Sequence, residues 1–220
     1  MIAVSVSEEL KSLVPELALS FIECDVALQK ENDELWAEIN KRTGKLTASL
    51  KVENISSLPA IAASRRGYKA CGKDPARYRL SAEALLRRTA QGKGLYPVNN
   101  VVDLLNLVSL STGFSIGGYD ADKIDGKVVF GIGRENEPYK GIGRGELNIE
   151  SLPVFRDNLG AFGSPTSDSV RTSVTMETSR FLMILIDFGA LPELEEATEM
   201  AVNLLKKYAK ADNFEIKILR

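Results

Sequence analysis

The 220-residue chain contains no histidine, and only two cysteines, Cys24 and Cys71. A Ser-His-Asp or Cys-His triad cannot be assembled from such a chain alone. The usual zinc sites need histidine or four cysteines, so no metal and no cofactor are expected. Proton transfer near neutral pH falls to carboxylates, Lys, Tyr, Cys or the substrate's own water. The two cysteines are far apart and form no C-x-x-C pair, and they read as reduced thiols. Long apolar runs are also missing. The longest, Phe181 to Ile186, is far too short to span a bilayer. Residues Met1 to Lys11 lack a basic start followed by an apolar stretch, so neither a signal peptide nor a membrane contact is expected, and the default location is cytoplasmic.

What is present is ordinary soluble-protein composition, 44% hydrophobic and 26% charged, with a net charge of -2. The length suits one domain over residues 1–220, with a sizeable core that needs no disulfide or metal. The charge is unevenly spread. Between Arg65 and Lys93 lie nine Lys or Arg residues against two acids, Asp74 and Glu83. This stretch is either a solvated basic surface or a phosphate-contacting face.

Periodicity predicts interleaved strands and helices, hence an α/β (α+β) fold with a mixed central sheet surrounded by helices. Leu17–Leu28 reads as a buried strand. Asn32 caps a helix through Arg42 that Gly44 could stop, and the chain breaks again near Pro59. Ser81 starts a helix that places Arg87 and Arg88 on its more exposed sides, with Gly92 beyond its end. Asn100, with Asp103, caps an almost wholly apolar helix ending at Gly113. Lys127–Ile132 is a strand, followed by the near-repeat Gly131-Ile-Gly-Arg134 and Gly141-Ile-Gly-Arg144, read as two extended segments joined by a hairpin or longer loop. These glycines lie between strands, so they favour close packing over a dinucleotide loop. Phe181–Phe188 is a central strand. A helix beginning near Pro192 and the alternating strand FEIKIL close the domain over residues 189–220.

Two segments invite chemistry. Asn106 is a polar residue in an apolar helix, and is either a satisfied core amide or one that faces a ligand. Gly117-Gly118-Tyr119-Asp120 follows it and permits close backbone approach. The second segment, Gly160 to Thr178, packs Ser164, Thr166, Ser167, Asp168, Ser169, Thr172, Ser173 and Thr175 ahead of the buried strand. It is either the polar wall of a pocket or a solvated turn whose hydroxyls cap local backbone.

These residues carry a resemblance. Asn100-Val-Val-Asp103-Leu-Leu-Asn106-Leu-Val108, with Gly113-Phe-Ser-Ile-Gly-Gly-Tyr-Asp120, resembles the phenylalanyl-tRNA synthetase β-subunit segment N-x-V-V-D-x-T-N-Y-V-x-L-E-x-G-Q-P-M-H-A-F-D. The later GAFGSPTSDS stretch is similar to the glycine-rich strand-turn of the same tRNA-binding and editing domain, and the run KGIGRGELNIESLP from Lys140, followed by GSPTSDSVRT from Gly163, looks like its free-standing subgroup. The resemblance covers about residues 60–188 and implies a tRNA-binding fold that hydrolyses mischarged aminoacyl-tRNA in trans. It implies a pocket floor at Asn106, Gly117 and Gly118. Its wall would be Gly163, Thr166, Ser167 and Asp168, with Asp168 and Asn106 in the catalytic roles and Arg65, Arg66, Arg87 and Arg88 on phosphates. The partner would be tRNA or aminoacyl-tRNA. The chain departs from the family at three pocket positions: Leu105 stands for a threonine, Gly117 for a histidine, and Ile184 near an acid. A tyrosine-specific pocket is therefore not expected, nor is tRNA aminoacylation, because the synthetase's catalytic core has no counterpart here. The departures keep open a binder of a free amino acid or similar small molecule, and a non-catalytic interaction module.

Overall fold

The computed structural model describes residues 1–190 and 193–220, which form ten strands and six α-helices. They are β1 (Val4–Val6), α1 (Glu8–Leu13), β2 (Ala18–Asp25), α2 (Asp33–Ser49), α3 (Pro59–Ala70), α4 (Ser81–Ala90), α5 (Asn100–Thr112), β3 (Ser115–Asp120) and β4 (Val128–Ile132). There follow β5 (Lys140–Gly141), β6 (Gly145–Glu146), β7 (Pro153–Asp157), β8 (Gly160–Gly163), β9 (Arg180–Asp187), α6 (Leu194–Ala209) and β10 (Asp212–Leu219).

The mixed α/β class holds, with one refinement. The larger strands divide between two four-stranded sheets, where a single central one was expected. One sheet, ordered β10-β2-β9-β3, is antiparallel throughout. The other, β1-β4-β7-β8, is mixed, because β1 runs parallel to β4. The reason lies in β2 and β9, whose continuous apolar runs must be covered on both faces. Phe181, Met183 and Leu185 pack under α2, α5 and α6 together with Ile22 and Leu104. Leu182, Ile184 and Ile186 point the other way, against Phe130, Val154 and Phe162 of the second sheet. Helices cover one face and a sheet the other, a choice that a run of apolar residues cannot reveal by itself. Ile184, 0% exposed in that inter-sheet core, is a packing residue.

Most element boundaries follow local chemistry. Asn32 caps α2, its side chain accepting from Leu35 N at 3.0 Å. The helix passes through Gly44, however, and ends only at Ser49. One glycine costs a helix only about 1 kcal/mol relative to alanine. The last turns recover that by packing Leu46 and by the bond from Thr47 Oγ1 to Thr89 O at 2.9 Å. Pro59 opens α3 at its first turn. The cap of α5 is Asn99, one residue earlier than expected, its side chain accepting from Val102 N. Asn100 lies buried in the first turn, where its amide ties together Gln29 N, Ala27 O and Tyr208 O. Asp103 accepts from Val98 N and Trp36 Nε1. Two adjacent asparagines are equivalent as caps in sequence, and the tertiary partners of Asn100 decide between them.

The glycine near-repeat also resolves differently. The first copy ends β4, and a Cβ on Gly133 would lie 1.9 Å from Ile149 O. The second copy makes its own hairpin: Gly143 and Gly145, at φ 67° and 69°, turn β5 directly into β6. The expected start of the last helix at Pro192 lies outside the described residues. The stripe of α6 is buried at Leu194, Ala197, Ala201, Leu204, Leu205 and Tyr208. No helix among the described residues is long and apolar enough to cross a membrane.

Two glycines make opposite predictions. A Cβ on Gly44 meets nothing within 4 Å, so Gly44→Ala is expected to stabilise the protein by about 0.5–1 kcal/mol in urea unfolding. A Cβ on Gly117 would sit 2.0 Å from the hydroxyl of Tyr119, so Gly117→Ala is expected to cost about 1–3 kcal/mol in the same measurement.

Candidate functional site

A tyrosine buried in a core must find a partner for its hydroxyl. Three such tyrosines, Tyr68 on α3, Tyr119 on β3 and Tyr139 before β5, direct their hydroxyls at one loop, residues 164–169. Tyr68 shares a 2.8 Å hydrogen bond with Thr166 Oγ1, Tyr119 donates to Asp168 Oδ1 at 2.9 Å, and Tyr139 donates to the Ser167 carbonyl. Ser164 closes the turn from within, its Oγ accepting from Ser167 N at 3.1 Å. The backbone then runs as an extra strand between β8 and β5, with bridges Gly163–Asp168 and Gly141–Ser169 and a bond from Ile142 N to Asp168 O. From the same loop, Pro165 O accepts from Ser81 N at the start of α4.

This loop forms one wall of a cavity of about 630 Å³ between α4, α5 and β3. The opposite wall is a single stripe of α5: Val102, Leu105, Asn106 and Ser109. Their i, i+3, i+4, i+7 spacing puts them on one face. The helix that reads as apolar on nearly every side is therefore half-open along this stripe, and the Asn106 amide points into the cavity without a hydrogen bond to another protein group among the described residues. Gly118 completes the floor beside Leu105, where a Cβ would come within 2.6 Å of Leu105 Cδ1.

Asp168 is the titratable group of this site. Half-buried, it accepts bonds from Tyr119 and from Gly118 N–H, yet burial outweighs both and pushes its carboxyl up to about 7. Burial, reinforced by the adjacent carboxyl, also raises the Tyr119 phenol well above its ordinary range, so Tyr119 stays a donor. Neither cysteine competes as a nucleophile. Both are buried, and burial pushes the thiols of Cys24 and Cys71 up to about 12 and about 11. Among the described residues no cluster of three or more Cys, Asp or Glu could hold a metal ion.

Of the residues expected at a pocket, Asn106, Gly118, Thr166 and Asp168 border this one cavity. The others lie elsewhere. Gly117 and Gly163 flank the Tyr119 ring from two strands, and their missing Cβ atoms leave room for its hydroxyl, 2.0 and 2.1 Å away. Both make room for the tyrosine ring, and neither is among the residues that line the cavity. Ser167 sits behind the wall, against Gly141, and holds Tyr139 through its carbonyl. The hydroxyl cluster thus divides: Ser164, Ser169 and Thr175 accept from local backbone, while Thr166 and Ser173 reach the cavity.

The expected arginine face also divides. Arg65 and Arg87 converge at 2.9 Å on the two oxygens of buried Glu83, bracing α3 against α4. Arg66 is exposed on α3, apart from the cavity. Only Arg88 of the four lines the cavity, at its rim, where Arg144 from the second glycine repeat joins it. The repeated Gly-Ile-Gly-Arg was the sequence signal for Arg144. A second groove of about 860 Å³ lies between α2 and α6, but its Glu38 is already engaged by Tyr208 and Lys207.

The raised Asp168 carboxyl has a stability consequence. Between about pH 4 and 7 the folded state holds a proton that the unfolded chain has lost, so this group's contribution to stability falls as pH rises through that window. Asp168→Asn removes the titration. Its melting temperature is expected to exceed the parent's by several degrees at pH 8, with the gain vanishing near pH 4.

The family model of the B3/4 domain matches residues 63–210. A phenylalanine–tRNA ligase beta subunit from Cutibacterium acnes is 30% identical over 92 residues, 41% of this chain and 11% of that protein. A solved N-terminal fragment of the phenylalanyl-tRNA synthetase beta-subunit from Pyrococcus horikoshii covers 98% of this chain and 50% of its own, at 14% identity and a TM-score of 0.47. The chain thus spans a small part of the curated relative and half of the solved fragment.

Proposed function

The chain belongs to the B3/4 domain family, and on that premise we propose that its cavity receives the aminoacyl end of a mischarged tRNA and hydrolyses the ester. The observation that carries this reading is the half-buried Asp168 carboxyl, pushed up to about 7 by burial, in the cavity that Asn106 also lines. A carboxylate with that pKa is matched to general-base work at neutral pH.

The chemistry follows from the residues. Ionised Asp168 accepts a proton from a water molecule as its oxygen attacks the ester carbonyl. Asn106 donates an N–H bond to the developing oxyanion. The C–O bond to the ribose breaks, and the departing hydroxyl oxygen takes the proton back from Asp168, leaving free amino acid and free tRNA. Tyr119 keeps the carboxylate aimed and is a positioning residue. The floor of Val102, Leu105 and Ile116 suits an apolar amino-acid side chain and offers no carboxylate to a tyrosine hydroxyl. Arg88 and Arg144 at the rim suit backbone phosphates.

Incubation with a panel of mischarged tRNAs tests this. Ester loss is expected to rise with pH and level off above about 7, and Asp168→Asn is expected to slow it about 10²–10⁴-fold. Binding should weaken with salt, with a logarithmic slope near -0.7 per single-strand phosphate contacted. No ester loss, together with no tRNA binding at low salt, would sink the reading.

One observation favours a second reading. Arg65 and Arg87 are spent on Glu83, which thins the cationic face and suits a pocket for a free amino acid or a similar small molecule. That reading predicts thermal stabilisation by a free amino acid and no affinity for tRNA.

A further inference from the structure

We infer that Tyr96, backed by Arg88, is a stacking platform for the terminal nucleobase of the RNA whose acyl ester enters the cavity, an assignment that rests on the reading just given. The loop joining α4 to α5 brings Tyr96 to the edge of the cavity. Arg88 fixes this loop from below, its Nε donating to Gly94 O at 2.7 Å. Its guanidinium carbon lies 5.5 Å from the Tyr96 ring centroid, within range of a cation–π contact. The ring is thus held on one side while 65% of the residue's surface stays exposed.

Tyr96 is not a solitary exposed apolar residue of the kind every protein surface carries. Val98, Ile142 and Val170, from three separate segments, are 44%, 50% and 46% exposed and border the same cavity. Four exposed apolar side chains converging on one mouth mark a contact surface. The charges decide its occupant. Arg88 and Arg144 stand at that mouth, and among the described residues neither forms a salt bridge. An apolar peptide would bury two unpaired guanidinium groups. A nucleobase linked to phosphate satisfies both features, since its flat face stacks on tyrosine and its anionic link meets arginine. The geometry also orders the ligand, with base at the rim and ester further in, beside Asp168.

Fluorescence anisotropy with the full chain tests this. One labelled RNA hairpin ends in a single-stranded CCA, and a second is identical except that its terminal nucleotide is abasic. The parent protein is expected to bind the first about 5- to 100-fold more tightly than the second. Tyr96→Ala should abolish that preference and Tyr96→Trp restore it, with circular dichroism and melting temperature unchanged because the ring is mostly exposed. Equal affinity of the parent for both hairpins, or a preference that survives Tyr96→Ala, overturns the platform while leaving the cavity reading intact. Displacement of the CCA hairpin by a Leu/Phe-rich peptide but not by adenosine monophosphate also overturns it, in favour of a protein partner. Failure to bind either hairpin at low salt removes the RNA reading itself, and the platform with it.

Discussion

The hydrogen bond from Tyr119 to Asp168 is the constraint around which the rest of the site is arranged. Tyr119 belongs to β3, an edge strand of the antiparallel sheet. Asp168 belongs to the loop that leaves β8, an edge strand of the mixed sheet. The bond therefore joins the two sheets at the point where the helices leave a gap between them. The phenol is fully buried and needs an acceptor there. Two strands give up a side chain, at Gly117 and Gly163, so that the ring fits. Edge-to-face contact with Phe162, at 5.0 Å between centroids, holds the ring perpendicular to its neighbour.

Burial sets up a tension at the same carboxyl that this bond only partly relieves. A carboxylate half-enclosed by apolar groups is disfavoured as an ion, and two hydrogen bonds only partly compensate. A purely structural acceptor could have been an amide at less cost. Keeping an acid here leaves a proton acceptor tuned near neutrality, in a chain that has no histidine to offer. Cations divide in a similar way. Glu83, buried and carrying Arg65 and Arg87, turns half of a basic stretch into an internal brace, because a buried carboxylate left unpaired would cost more than the arginines lose.

Much of this was legible in the residues. The run Phe181–Ile186 announced a central strand, Asn32 and Gly113 announced the ends of two helices, and Asn106 stood out as an amide in apolar company. The family resemblance brought the Asn100–Gly126 and Gly160–Ser169 segments to attention together, and they do meet at one cavity. What stayed hidden had physical causes. Apolar periodicity records that a face is covered without recording by what, so the second sheet was invisible. Glycine signals a missing side chain without saying who needs the room, so Gly117 and Gly163 read as ligand contacts. A charge count cannot separate arginines that are paired inside from those that are free.

The sequence by itself determined the interleaved α/β pattern, the absence of histidine chemistry, and the residue types that line the cavity. Only the tertiary structure decided which of them act together. It directed Tyr68, Tyr119 and Tyr139 onto one loop, brought Asp168 and Asn106 to the lining of one cavity, and set Arg88 beside Tyr96 while withdrawing Arg65 and Arg87. The physical reason is that burial and partner geometry, which set a carboxyl's proton affinity and an arginine's availability, arise between segments distant in the chain and are carried by no segment alone.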